Sequence, residues 1–219
     1  MAEKEMYELK RLRAILRQNP HLRYILFLPA FLICFFTLER LIAPEDVRWW
    51  VYSPLDDLIP FWEGFVIPYY FWYPLLFVTG LLLLLKDVPN FKNYMRFLIF
   101  GFGGALLFCL IVPNGQLLRP EAFSNDNALS RLVGLMYSMD TNTNVFPSMH
   151  VIGSVAAAGA AWKSAALKKL RLPWTLLAVA VSLSTVFIKQ HSVLDIFGAL
   201  AFCLPLWILI YGERQSAAR

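Results

Sequence analysis

Charge is scarce in this chain. Asp, Glu, Lys and Arg make up 16% of its 219 residues, while hydrophobic residues make up 58%. A globular domain carries about a quarter charged and about half apolar residues, so a soluble enzyme of this composition is excluded, as are disordered and collagen-like chains. The mean hydropathy of +0.55 agrees. Cysteine is sparse too: Cys34, Cys109 and Cys203 are far apart, odd in number and each inside an apolar run, which excludes a disulfide framework and leaves packing roles. No CxxC or His/Cys metal spacing occurs, and Asp56 and Asp57 have no His or further carboxylate at ligand spacing. No metal and no cofactor is expected. Internal repeats and low-complexity tracts are absent as well. GFGGA (Gly101 to Ala105) lacks a flanking βαβ pattern, so its small residues read as helix packing rather than a dinucleotide loop.

What the chain does have is long apolar runs. They lie at about Tyr24 to Ala43, Gly64 to Leu85, Phe97 to Val112, Phe146 to Trp162, Leu172 to Ile188 and Val193 to Tyr211. A spanning helix needs about 20 mostly apolar residues, so the pattern predicts an all-α membrane protein of six transmembrane helices over residues 24–212. The first run is too long for a signal-peptide core and lacks a small-residue cleavage site, so it is expected to be retained. Before it, residues 1–23 set Met6, Leu9, Leu12, Ile15 and Leu16 at helical spacing among basic residues, the pattern of an amphipathic helix on a membrane surface. A short tail follows at 213–219. Between the first two spans, PEDVRWWVYSPLDDLIPFWEG mixes tryptophans with acids and prolines, as an interfacial helix would. The run Tyr69 to Tyr73 reads as packing and interface anchoring. The only long polar connection is 113–145, the natural place for a functional loop.

In a soluble chain, the net charge of +5 would suggest a nucleic-acid partner; in a membrane protein the placement of cations matters more. Fifteen of the twenty Lys and Arg fall in the N-terminal segment, the second and fourth loops and the C-terminus; Arg40, Arg48, Arg119, Arg131 and Lys189 remain for the other side. The positive-inside rule then places both termini of a multi-pass cell-membrane protein in the cytoplasm. No nucleic acid is expected as a partner.

Histidine is rare: His21 sits in the basic segment, whereas His150 and His191 begin the fourth and sixth runs, which the topology puts at one outer face. Asp195 follows His191 by four residues, so on a helix the two side chains share a face and the carboxylate can fix the imidazole tautomer. Pro147 suits a helix first turn, where free backbone N–H groups and the Ser148 hydroxyl make an anion site beside His150. Arg119, before Pro120, offers a planar fork for phosphate, and Lys189 adds a cation. Together these residues describe a phosphate pocket with a nucleophile.

At this point the chain resembles the type 2 phosphatidate phosphatase superfamily of membrane lipid phosphatases and transferases. The family's motifs run KxxxxxxRP, PSGH and SRxxxxxHxxxD; this sequence has VPNGQLLRP (Val112 to Pro120), PSMH (Pro147 to His150) and STVFIKQHSVLD (Ser184 to Asp195) in the same order. The resemblance implies His191 as nucleophile, Asp195 as its orienting partner and His150 as the acid for the leaving oxygen, with Arg119 and Ser148 binding phosphoryl oxygens. Val112, Met149 and Thr185 stand where the family has Lys, Gly and Arg, which leaves Lys189 or Arg131 to supply charge. It further implies a lipid phosphate or pyrophosphate as substrate, hydrolysed at the extracytoplasmic face through a phosphohistidine. A head-group phosphotransferase of the inositol-phosphorylceramide synthase-like kind fits the same residues, and a non-catalytic scaffold or transporter fits the six spans alone.

Overall fold

A computed structural model of the chain describes residues 6–7 and 16–212. The tail at 213–219 lies outside the described residues, as does most of the expected amphipathic segment 1–23. A 3-10 turn Pro20–Leu26 leads into α1 (Phe27–Leu41). There follow α2 (Pro54–Leu58), α3 (Val66–Tyr70), α4 (Trp72–Lys86), α5 (Val88–Ile111), α6 (Ala128–Met139), α7 (Met149–Lys163), α8 (Arg171–Phe187) and α9 (Val193–Tyr211). The sheet among the described residues is one parallel pairing of two residues each, β1 (Trp49–Trp50) with β2 (Asn114–Gly115).

Among the described residues, five helical stretches are long and apolar enough to cross a membrane: Pro20–Leu41, Glu63–Lys86, Val88–Ile111, Lys168–Phe187 and Val193–Tyr211. The chain thus has the build of an all-α, multi-pass membrane protein. The third stretch starts well before Phe97, because the Asp87 side chain accepts from Asn90 N at 3.2 Å and Pro89 occupies the first turn. A cap and a first-turn proline start a helix even where Lys92, Asn93 and Arg96 lower its hydropathy.

The expected fourth span is the exception. Helix α7 has 15 residues, about 22 Å at 1.5 Å per residue, short of the ~30 Å hydrocarbon thickness. Its position gives the reason: α7 packs against α4, α5, α8 and α9, and ten of its residues are buried. A helix enclosed by protein needs small residues that admit its neighbours rather than a long lipid-facing apolar run. At Gly153 an added Cβ would come within 2.8 Å of Trp72 Nε1, and Gly159 lies as closely under Trp207.

Between the first two stretches the chain forms a 3-10 turn (Pro44–Asp46), β1 and the five-residue α2. The polar connection 113–145, expected as a loop, contains the helix α6. Asn127 starts it by accepting from Leu129 N at 2.9 Å and Ser130 N at 3.0 Å, and its buried face sets Val133 and Met136 against Val66, Tyr69 and Ile188. Backbone bonds from Arg48 N to Pro113 O, Gln116 N to Asn142 O and Trp62 N to Phe187 O gather these connections at one end of the bundle. At the other end, Ser164 Oγ donates to Asp87 Oδ2 at 2.6 Å.

Candidate functional site

Helix α8 ends in a reversal. Lys189 takes φ 54°, and the amides of Gln190 and His191 both return to Thr185 O at 2.9 and 3.0 Å. This turn sets His191 immediately before α9, whose N-cap is Ser192. Asp195, fully buried, accepts from Ser192 N at 3.0 Å and lies 2.9 Å from His191 Nδ1 through the same oxygen, Oδ2. A carboxylate in that position accepts a hydrogen bond from Nδ1–H, which leaves the lone pair on Nε2.

The second histidine comes from α7. Ser148 is its N-cap, and Ser148 N donates to Asp195 O at 3.3 Å, tying the two histidine segments together. His150 lies between Tyr69, stacked on it at 4.3 Å between ring centroids, and Trp72, tilted to it at 4.4 Å; its ring lies 5.9 Å from that of His191. Four buried polar atoms here, Ser148 Oγ, His150 Nε2, Asp195 Oδ1 and Trp72 Nε1, have no hydrogen-bond partner. An unsatisfied buried group costs about 1–3 kcal/mol, a cost that an anion at this helix N-terminus would remove for Ser148 and His150. Both histidines line a cavity of about 450 Å³ whose other walls are largely aromatic and aliphatic, from α1, α3, α4 and α6.

The expected phosphate-binding residues are not all brought together. Ser148 adjoins His150. Arg119 lies behind the cavity wall: its guanidinium covers the Tyr137 ring at 4.2 Å and donates to the carbonyls of Tyr137, Asp140 and Thr141 and to Gln190 Oε1. Lys189 points elsewhere, its amine donating to Asp56 O at 2.7 Å and Ile59 O at 2.5 Å. These carbonyls at the end of α2 lack helical partners, and an ammonium satisfies them. Arg131 pairs with Asp126 at 3.2 Å on the exposed surface. Thr185 is buried and offers its carbonyl to the turn.

Residues of the first motif act as a buckle between the other two. Asn114 receives Phe146 N at 2.8 Å and donates to Phe146 O at 3.3 Å, and Gln116 Nε2 donates to Lys189 O at 3.0 Å. Three further side chains went unrecognised in the sequence. Asp140 lines the cavity and accepts from Gln190 Nε2 at 2.8 Å and Tyr69 OH at 3.2 Å; burial, with Glu39 adding repulsion, pushes its carboxyl up to about 6. Tyr69 and Trp72 belong to the aromatic run assigned to packing, but pack on His150 itself.

Asp56 is the most distant of the unexpected participants in sequence. Only 2% exposed, it accepts from Ser192 Oγ at 2.6 Å and Val193 N at 2.8 Å, clamping the turn that carries His191. Hydrogen bonds to charged groups contribute roughly 1.5–3 kcal/mol. Asp56→Ala is therefore expected to lower the thermal midpoint and reduce any His191-dependent activity at least about tenfold, whereas Asp57→Ala, at an exposed position, leaves both nearly unchanged. Equal effects of the two substitutions would remove the clamp. No family model, no curated protein and no solved structure matches this chain.

Proposed function

We propose that this protein is a membrane enzyme of the phosphatidate phosphatase type, which cleaves or transfers the phosphate of a lipid through a phosphohistidine. The observation that carries the reading is the His191–Asp195 pair at 2.9 Å, with His150 5.9 Å from it, ring to ring, on one cavity wall. His191 Nε2 attacks phosphorus while the lipid-side P–O bond breaks, and His150 gives the departing oxygen its proton. Water then cleaves the P–N bond; an acceptor alcohol in its place makes the enzyme a transferase. Ser148 Oγ and the first-turn amides of α7 would receive the phosphoryl oxygens. The test is phosphate release from a panel of lipid phosphates and pyrophosphates by detergent-purified protein in EDTA. Release that persists in EDTA and vanishes in His191→Ala is the expected result. No release from any substrate, or loss in EDTA reversed by Mg²⁺, would overturn it.

In this reading α7 is the fourth of six spans, the 44–62 connection lies at the headgroup level and the histidines face outward, opposite the cation-rich side. Labelling tests the orientation in a Cys34→Ala background, since Cys109 and Cys203 are buried. Ser124→Cys is expected to react with an impermeant thiol reagent in intact cells, and Ala166→Cys is not; both positions are exposed. The reverse pattern would place the site inside.

A further inference from the structure

The cavity has an electrostatic character that an inorganic-phosphate pocket does not share. Among the described residues lining it there is an Asp and two His but no Lys or Arg. The five cations of this end are all placed elsewhere: Arg40, Arg48 and Arg131 are exposed, and Arg119 and Lys189 donate to backbone carbonyls. A second carboxylate, Glu39, stands behind the wall, accepting from Asn144 Nδ2 at 2.9 Å and from the Thr141 hydroxyl. A phosphomonoester dianion entering alone would meet net negative side-chain charge in a low-dielectric site.

We infer that the cavity takes a phosphate ester bearing its own ammonium, a zwitterionic amino-alcohol head group, with Asp140 as the counter-charge for the amine. Both side-chain hydrogen bonds to Asp140 end on Oδ2, so Oδ1 is available to a ligand. The rings of Tyr70 and Tyr73, 6.3 Å apart, line the same cavity, and aromatic faces beside a carboxylate form a favourable surround for alkylammonium. The phosphate of such a ligand lies toward His191 and the N-terminus of α7, and the amine toward Asp140. The inference rests on phosphoryl transfer at His191: its Nε2 bonds to phosphorus as the bond to the glyceride oxygen breaks, His150 protonates that oxygen, and water later releases the phosphorylated amino alcohol. The acyl chains have an apolar flank in Phe31, Phe35 and Phe36 of α1.

Two measurements on the full chain in detergent keep this apart from the catalytic reading. In the first, turnover of phosphatidylethanolamine and phosphatidylcholine is compared with that of phosphatidate and phosphatidylglycerol. The zwitterions are expected to be favoured at least about tenfold in kcat/KM, and Asp140→Asn to collapse that preference, with roughly 10- to 100-fold lost from the zwitterion rate relative to the phosphatidate rate. In the second, calorimetry follows binding of hexadecylphosphoethanolamine, hexadecylphosphocholine and hexadecyl phosphate to the wild type and to His191→Ala. Preferential binding of the zwitterions that is lost in Asp140→Asn supports the inference even if nothing is turned over, and that pattern would sink the catalytic reading alone. Equal or better use of phosphatidate by the wild type, with no zwitterion preference in binding, overturns the inference and leaves phosphatase chemistry standing. The wild-type comparisons decide the matter even if Asp140→Asn fails to fold.

Discussion

Replacing His191 with Ala is expected to abolish turnover of every substrate, activated esters included, by on the order of 10⁴ or more in kcat. The size of the effect follows from its place in the proposed reaction: without Nε2 no P–N bond would form, and the intermediate that would divide the reaction into two easier steps is lost. Asp195→Asn tests the same nitrogen from its other side. The carboxylate 2.9 Å from Nδ1 only accepts, so it keeps the proton on Nδ1 and the lone pair on Nε2. An amide in its place presents an N–H of its own and admits the opposite tautomer, and the expected loss is on the order of 10² to 10⁴. Because Asp195 also accepts from Ser192 N, folding is monitored in parallel by thermal unfolding. If His191→Ala retains measurable phosphate release in a chain that unfolds like the wild type, the nucleophile lies elsewhere.

The His191–Asp195 pair was legible in the sequence because it is local: an i, i+4 spacing at a helix start brings the groups together whatever the rest of the fold does. The meeting of His150 with His191 followed from counting spans, since both begin runs on the same side. Cation placement was not legible in that way. Arg119 and Lys189 look like phosphate ligands by residue type, yet their protons go to carbonyls at Tyr137, Asp140, Thr141, Asp56 and Ile59. Those acceptors carry no side-chain signature, so no spacing rule announces them. Asp56 was read only for metal ligation, and its capping of α9 from 136 and 137 positions upstream is a property of the tertiary fold. Helix α7 shows the opposite limit. Hydropathy located it, but its Gly, Ala and Ser content reflects enclosure by four helices, and a window tuned to lipid-facing segments underrates such a helix.

The two histidines are separated by their response to the leaving group. A lipid alkoxide is a poor leaving group and departs with a proton, so His150→Ala is expected to reduce hydrolysis of a lipid substrate by on the order of 10² to 10⁴. A p-nitrophenolate leaves without one, and on a p-nitrophenyl ester of the same head group the variant should keep most of its rate. The rings of Tyr69 and Trp72, at 4.3 and 4.4 Å from His150, attract an imidazolium and offset part of the desolvation that burial imposes on it. Removing the ring also leaves a gap between these two side chains, for which a structural loss of roughly 1–3 kcal/mol is ordinary. Such a loss lowers activity on both esters together, whereas loss of proton donation acts on the alkoxide alone. The ratio of the two rates therefore isolates the chemistry from the packing, and His150→Gln, which fills the gap without donating a proton of comparable acidity, should give the same ratio. Equal loss on both substrates in a stably folded His150→Gln chain would remove His150 from the proton-transfer step.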